Sequence, residues 1–290
     1  MKTVVRSDKK VVTIDIEGPL VIIGEKINPT GRKKMAEALQ SGNWDYVRNL
    51  AIDQVKTGAD VLDVNVGVAG LDDVALMPEI VKLVAGCVDV PLCLDSPNPK
   101  ALEAGLAVAV GKPLVNSVSG EESRLTNILP LVKEHAAAVI GLVMDDEGIP
   151  ATPEGRLKVA EKILERAARL GIPAEDVVID PLVMAVGSDS LAGRVTLRTV
   201  ELVREKLGAN INLGASNVSF GLPDRPTVNM AFLALAMGAG ATCAITDPLK
   251  MAGFIRAADL LLGRDDYGMR YIRYYRQMQA MLAAQEEPKK

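Results

Sequence analysis

The feature that most constrains the fold is an alternation repeated about eight times: a short apolar β-prone run, a polar loop, then a longer stretch of helical period. The runs are Leu20–Ile23, Val61–Asn65, Pro91–Leu94, Pro113–Asn116, Ala137–Val143, Asp176–Asp180, Ile211–Gly214 and Thr242–Ile245. Most are apolar almost throughout, which is how strands of a parallel sheet covered on both faces read. Between them the spacing predicts helices over Trp44–Thr57, Met77–Ala85, Pro99–Val108, Glu121–Glu134, Pro153–Leu170, Val195–Leu207, Thr227–Met237 and Leu249–Leu262. Several carry end signals. Thr152 is an expected N-cap with Pro153 at the first helical position, and Gly58, Gly171 and Gly208 are expected stops. A last helix, Asp266–Ala284, leads into a polar tail.

Eight strand–loop–helix units make the α/β pattern of a TIM (β/α)8 barrel with a C-terminal helix. A doubly wound open sheet is the structural rival. The regular repeat and the lack of any Pro/Ser-rich linker, low-complexity stretch or composition shift favour the barrel, with residues 1–290 forming one domain. A length of 290 residues suits one large domain.

Composition narrows the chemistry. The chain is 49% hydrophobic and 24% charged, with a net charge of -4, so large-scale disorder is not expected. Without a basic run it is a poor candidate for nucleic acid or an anionic membrane surface. The single histidine excludes a zinc site built mainly from imidazoles. Cys87, Cys93 and Cys243 form no C-x-x-C pair, so no zinc or iron–sulfur site is expected. No disulfide framework is visible, which fits a reducing cytoplasm. The N-terminal MKTVVRSDKK is too charged for a signal peptide. The longest weakly polar run, Met230 to Ile245, is too short to span a bilayer and reads as a buried helix and strand.

In a barrel of this kind the active site lies at the C-terminal ends of the strands. The polar residues there are Glu25 and Asn28 after the first run, Asp63 and Asn65 on the second, and Asp95 and Ser96 on the third. Asn116 and Ser117 end the fourth, Met144 and Asp145 follow the fifth, and Asp180 ends the sixth. Gly214, Ser216, Asn217 and Ser219 follow the seventh, and Thr246 and Asp247 end the eighth. Carboxylates and carboxamides recur at this rim and histidines and cysteines do not. Such a ring suits a flat heterocycle with several N–H groups and a carbonyl, because Asp accepts two hydrogens from an amino-pyrimidinone edge and Asn both donates and accepts.

Plainer roles compete. An Asp after a strand is often a helix N-cap or turn residue, and Asp63 can be a satisfied barrel residue. His135 falls between a helix and the next strand, on the opposite face of the barrel, where a helix-end role is expected. Cys93, two residues before Asp95, should point into the barrel as packing, and Cys87 and Cys243 read the same way. The basic end from Arg270 to Arg276 reads as a solvated helix face.

At these rim residues the sequence resembles the methyltetrahydrofolate:corrinoid protein methyltransferases, the dihydropteroate synthase-like pterin-binding barrels also found inside cobalamin-dependent methionine synthase. The matching stretches are Ile-Gly-Glu25-Lys-Ile-Asn28, Leu-Asp63-Val-Asn65-Val-Gly67, Leu-Cys-Leu-Asp95-Ser96, Val-Asn116-Ser117, Ile-Asp180-Pro181 and Gly214-Ala-Ser216-Asn217-Val-Ser219-Phe220-Gly, spread from about Gly24 to Asp247. Each is weak alone, but together and in order they are specific. The resemblance implies a barrel that works as a homodimer, with the pterin ring held by Asp95, Asn116 and Asp180. It implies that Asn217 approaches N5 as the catalytic group and that Gly214, Ser216 and Arg225 lie about the ring, with Glu25, Asn28, Asp63 and Asn65 as further candidates. Family members carry Asn-Arg-Pro where this chain has Asp224-Arg225-Pro226, so the residue before the arginine differs. Phe220 stands where some relatives have a polar partner for the catalytic Asn. Tetrahydrofolate or methyltetrahydrofolate is then the substrate, no metal is bound by the chain, and the cobalamin or other corrinoid arrives on a partner protein that docks transiently at the C-terminal face, which is expected to stay open.

Two alternatives remain. Dihydropteroate synthase shares the pocket but handles a pyrophosphate leaving group with a Ser-Arg-Lys motif after strand seven and an Arg-x-His near strand eight. Those places here read Ser216-Asn217-Val and Ala244-Ile-Thr246-Asp247. A pterin-binding subunit without turnover is the other.

Overall fold

The computed structural model describes residues 1–286. The chain opens with an antiparallel hairpin of β1 (Lys2–Arg6) and β2 (Val11–Asp15). Seven parallel strands follow in one sheet: β3 (Val21–Ile27), β4 (Val61–Asn65), β5 (Leu92–Asp95), β6 (Leu114–Ser119), β7 (Ala138–Leu142), β8 (Val177–Asp180) and β9 (Cys243–Thr246), in the order β8-β7-β6-β5-β4-β3-β9. The helices are α1 (Lys33–Ser41), α2 (Trp44–Lys56), α3 (Asp73–Ala85), α4 (Pro99–Leu106), α5 (Glu122–Glu134), α6 (Pro153–Arg169), α7 (Ala192–Leu207), α8 (Arg225–Ala239), α9 (Pro248–Leu261) and α10 (Met269–Glu286). The polar tail expected beyond the last helix, 287–290, lies outside the described residues.

The eighth stave departs from the expectation of a regular strand over Ile211–Gly214. That run forms only isolated bridges, Ile211 to Ile179 and Gly214 to Ile245. The cause is local. The Ile211 N–H donates to Oγ1 of Thr242 (2.8 Å), so a hydroxyl takes the place of a ladder carbonyl. The segment still joins the two edges of the sheet. The Asn212 N–H donates to the Ile179 carbonyl (2.9 Å) and the Ile245 N–H to the Leu213 carbonyl (2.9 Å). The sheet therefore closes into a (β/α)8 barrel.

Strand alternation divides the core in two. One set of side chains faces outward to the helices, as Ile22, Leu62, Leu94, Val115 and Ile179 do. The other fills the barrel: Val21, Ile23, Val61, Cys93, Leu114, Ala138, Ile140, Val178 and Cys243. Cys93 and Cys243 are thus interior packing. Val5, Val12 and Ile14 of the hairpin join this interior cluster and stopper its N-terminal end. Asn210 Nδ2 fastens the hairpin, donating to Oγ1 of Thr3 and the carbonyl of Ile14 (2.9 Å each). With the bottom plugged, the open end is the one that carries the polar rim.

End signals act as expected where they were visible. Thr152 caps α6 through its Oγ1, which accepts from the Gly155 N–H (3.1 Å). Gly208 ends α7 in the left-handed conformation at φ 59°. His135 is the C-cap of α5, at the N-terminal end of the barrel. The hairpin and α1 were not expected. For α1 the helical spacing of Met35, Ala38 and Leu39, its buried face, was present but short.

Candidate active site

The polar rim is the next step of the same alternation. Two residues beyond interior Val61, Cys93, Leu114 and Val178 come Asp63, Asp95, Asn116 and Asp180, and beyond Ile140 and Cys243 come Leu142 and Ile245. This layer of three carboxyls, one carboxamide and two apolar side chains lies at the floor of a cavity of about 580 Å3. Its walls come from Glu25, Asn28 and Arg32 after β3, Leu182 and Val183 after β8, and Gly214, Ser216, Asn217, Phe220 and Arg225 after the eighth stave. The volume is that of a small-molecule site.

Each floor carboxyl is braced by a carboxamide. Asn116 Nδ2 donates to Asp63 (3.2 Å), Asn65 Nδ2 to Asp95 (2.9 Å) and Asn212 Nδ2 to Asp180 (2.7 Å). A carboxylate has about four acceptor positions, so each retains some for a ligand. Burial is the dominant electrostatic influence. It pushes the Asp63 carboxyl well above the usual carboxylate range, and the neighbouring Asp95 charge adds to this. Burial also raises Asp95, opposed by the Asn65 hydrogen bond. Asp180 is raised to about 6 by burial, opposed by hydrogen bonds from Leu182, Asn212 and Gly214.

The walls depend on irregular backbone. β3 carries one extra residue relative to β4 between Gly24 and Ile27. The Lys26 N–H there donates to Oε1 of buried Gln54 (2.9 Å), which pins the bulge. Glu25 is thereby turned to the mouth. It pairs with Arg32 (2.8 Å) and accepts from Ser216 Oγ (2.9 Å), tying the loop after β3 to the turn over Ala215–Ser219. Arg225 Nη2 donates to the Ser216 carbonyl (2.7 Å), and its guanidinium lies 5.9 Å from the Phe220 ring. Beyond β8, Leu182 sits in the left-handed region at φ 58°. It is held by its N–H donating to Asp180 (2.8 Å) and by Arg156 Nη1 donating to its carbonyl (3.0 Å).

Asn217 is exposed, and its carboxamide makes no hydrogen bond among the described residues. A Cβ on Gly214 would come 3.0 Å from Asn217 Nδ2, so glycine there leaves that amide room to turn.

Glu25, Asn28, Asp63, Asp95, Asn116, Asp180, Gly214, Ser216, Asn217 and Arg225 therefore surround one cavity. Asn65 is not in its wall and acts from behind on Asp95. Asn28 is also tied locally, its Oδ1 accepting from the Thr30 N–H (2.9 Å). Asp247 takes the plainer role weighed above: it caps α9 through the Leu249 N–H (3.1 Å) and pairs with Lys26 (3.1 Å). Asn212, Arg32 and Arg156 were missed. For Asn212 a signal existed, a polar residue inside an apolar run two positions before Gly214. Arg32 and Arg156 gave none, since each is brought in by tertiary packing.

A family model described as pterin binding enzyme matches residues 24–247. The methylcorrinoid:tetrahydrofolate methyltransferase of Eubacterium limosum is 33% identical over 266 residues, which is 89% of this chain and 97% of that protein. The methionine synthase of Mycobacterium tuberculosis is 32% identical over 248 residues, 81% of this chain but only 21% of that longer protein. Among solved structures, the Yersinia pestis dihydropteroate synthase with a pterin–sulfa conjugate superposes with a TM-score of 0.70 at 15% identity, covering 91% of this chain and 99% of that one. The dihydropteroate synthase of Vibrio fischeri gives 0.69 at 16%, with the same coverage. At such identities these structures speak for the fold.

Proposed function

The chain belongs to the pterin-binding enzyme family, and from that premise we propose that it is a methyltransferase moving a methyl group between N5 of tetrahydrofolate and the cobalt of a corrinoid carried by another protein. The observation that carries this is the cavity floor of Asp95, Asn116 and Asp180 with Asn217 unpaired at its wall. The 33% identity to a methylcorrinoid:tetrahydrofolate methyltransferase over nearly its whole length supports the same activity.

In the folate-to-corrinoid direction the methyl–N5 bond breaks as the methyl–cobalt bond forms, N5 keeps the electron pair, and a proton drawn from solvent ends there. The nucleophile is the substrate cobalt, so the chain need not supply one. Asp95, Asn116 and Asp180 hold the ring edge and fix N5 relative to the mouth, which converts the encounter into an oriented one. A tertiary amine is a poor leaving group unless N5 is protonated or strongly hydrogen-bonded. The Asn217 carboxamide has no competing partner among the described residues, so it can turn and donate to N5 as charge develops there. In reverse the neutral N5 attacks the methyl group, the methyl–cobalt bond breaks with its electron pair left on cobalt, the N5 proton passes to solvent, and the Asn217 amide must leave the N5 lone pair free.

The corrinoid protein is assigned to the C-terminal face. Exposed Ile149, Met184, Leu191 and Phe220 stand on loops around the mouth, an apolar rim suited to a large partner. A homodimer is part of the proposal, supported by exposed Leu261, Leu262, Tyr267, Met269 and Tyr275 along α9, α10 and their connection. So is a cytoplasmic setting, with residues 1–290 working as one domain; Cys87, Cys93 and Cys243 are all free thiols.

The test is direct. Mixed with methyltetrahydrofolate and Co(I) cobalamin, the protein should consume the Co(I) absorbance and yield methylcobalamin. Formation of pteroate from p-aminobenzoate, without methyl transfer, would replace this proposal with dihydropteroate synthase.

A further inference from the structure

Asn217 stands on a short turn, Ala215–Ser219, with no regular helix or strand of its own to place it. The turn is fastened from several sides. The Asn217 N–H donates to the Gly214 carbonyl and the Asn217 carbonyl accepts from the Phe220 N–H (3.1 Å each). Arg225 Nη2 donates to the Ser216 carbonyl (2.7 Å) and its Nε to Oγ of Ser219 (3.1 Å). Ser216, the residue before Asn217, is held a second time through its side chain, whose Oγ donates to Oε2 of Glu25 (2.9 Å). These contacts fix the turn and leave the Asn217 carboxamide without a partner among the described residues.

Glu25 is itself fixed, by independent contacts. Its two oxygens go to different partners, Oε1 to Arg32 Nη2 (2.8 Å) and Oε2 to Ser216. Its side chain is only 18% exposed, so these bonds escape much of the solvent that weakens surface pairs. Behind it the β3 bulge is seated on buried Gln54 of α2, whose Oε1 accepts from the Lys26 N–H (2.9 Å). A Cβ at Gly24 would come 2.6 Å from that oxygen, so strand and amide are in direct contact. One line of contacts therefore runs from Gln54 through the bulge to Glu25, and from Glu25 through Ser216 to the turn that bears Asn217.

We propose that Glu25 is a positioning residue for the transfer: acting through Ser216, it sets the place from which the Asn217 amide reaches N5. This rests on the methyl-transfer reading above and adds a residue that touches no reacting atom. A donor to developing charge depends steeply on its placement, and an error of about 1 Å can cost about a hundredfold in rate. Glu25 differs in this from Asp95, Asn116 and Asp180, which hold the ring, so its loss should appear in the rate and not in the affinity.

The experiment is a stopped-flow single turnover of the intact protein with methyltetrahydrofolate and Co(I) cobalamin, with the folate Kd measured beside it. Glu25→Ala should lower the rate about tenfold while Kd stays within about threefold. Ser216→Ala removes the same hydrogen bond from its other end and should give a similar loss. Glu25→Gln keeps an acceptor for Ser216 Oγ and should recover most of the rate. The sharpest readout is non-additivity. Because Glu25 acts through Asn217, adding Glu25→Ala to Asn217→Ala should change the residual rate by no more than about twofold, whereas a general loosening of the fold would slow both backgrounds alike. A further loss of about tenfold in the Asn217→Ala background would overturn the proposal. So would weakened folate binding at an undiminished rate in Glu25→Ala, which would make Glu25 a ligand contact. Transfer that Glu25→Ala leaves unchanged would overturn this inference alone. Absence of transfer by the unaltered protein would overturn the methyl-transfer reading and this inference with it.

Discussion

Asp180 joins packing to chemistry at a single residue. Its carboxyl is buried, and its oxygens are held by Asn212 and the Leu182 N–H. Burial places its pKa at about 6, against 3.8 for an unperturbed Asp. The sign of its effect on stability follows. Between these values the folded state keeps a proton that the unfolded chain has released, so stability falls as pH rises through the window, and the cost is complete above about 6. In the proposed site ligand binding runs the other way, because an ionised carboxylate is the form that accepts ring N–H groups. Affinity for an oxidised pterin, whose N5 is not basic in this range, should rise through pH 6, by about tenfold per unit below it. In Asp180→Asn the affinity should be low and the step near pH 6 should be lost. A flat profile in the unaltered protein would remove Asp180 from the ring contacts. Asp95, Asn116 and Asp180 were legible in sequence because each ends an apolar run, and the period-two step from an interior residue aims it at the mouth. Arg32 and Arg156 were not legible, because a long side chain on a loop or helix reaches the site only through tertiary packing.

At the scale of elements, the seven regular strands could be read from their apolar runs to within a few residues. Departures occur where side chains replace backbone partners: Thr242 at the eighth stave, Gln54 at the β3 bulge. The hairpin was invisible for another reason. β1 and β2 are five residues each, with only their alternate positions buried, and they gain their partners from the barrel floor rather than from local sequence. Gly111 marks how tightly that plug is seated. It has φ 92°, and a Cβ there would come 2.2 Å from the Arg6 carbonyl oxygen, beside the Arg6–Lys112 backbone pair (2.8 and 2.9 Å). Backbone cannot move aside as a flexible side chain does. Gly111→Ala should therefore lower stability by about 2–3 kcal/mol in a denaturant melt. A change within about 0.5 kcal/mol, typical of neutral surface sites, would mean the hairpin is not locked there.

For the whole molecule, two surfaces remain to be covered. The apolar residues on α9 and α10 predict a dimer by light scattering at micromolar concentration, and Leu261→Lys/Tyr267→Lys should shift it to monomer. A monomeric parent protein would contradict this. The open C-terminal face is the one proposed for methyl exchange, and the central claim there is that this chain contributes position and one unpaired amide while its partner brings the metal. That claim is tested most directly by a stopped-flow single turnover of Asn217→Ala with methyltetrahydrofolate and Co(I) cobalamin, read beside the folate Kd. The rate should drop by about a hundredfold, the usual cost of losing one donor to a developing charge, while Kd stays within about threefold because Asp95, Asn116 and Asp180 still hold the ring. Lost binding with an undiminished rate would contradict the account.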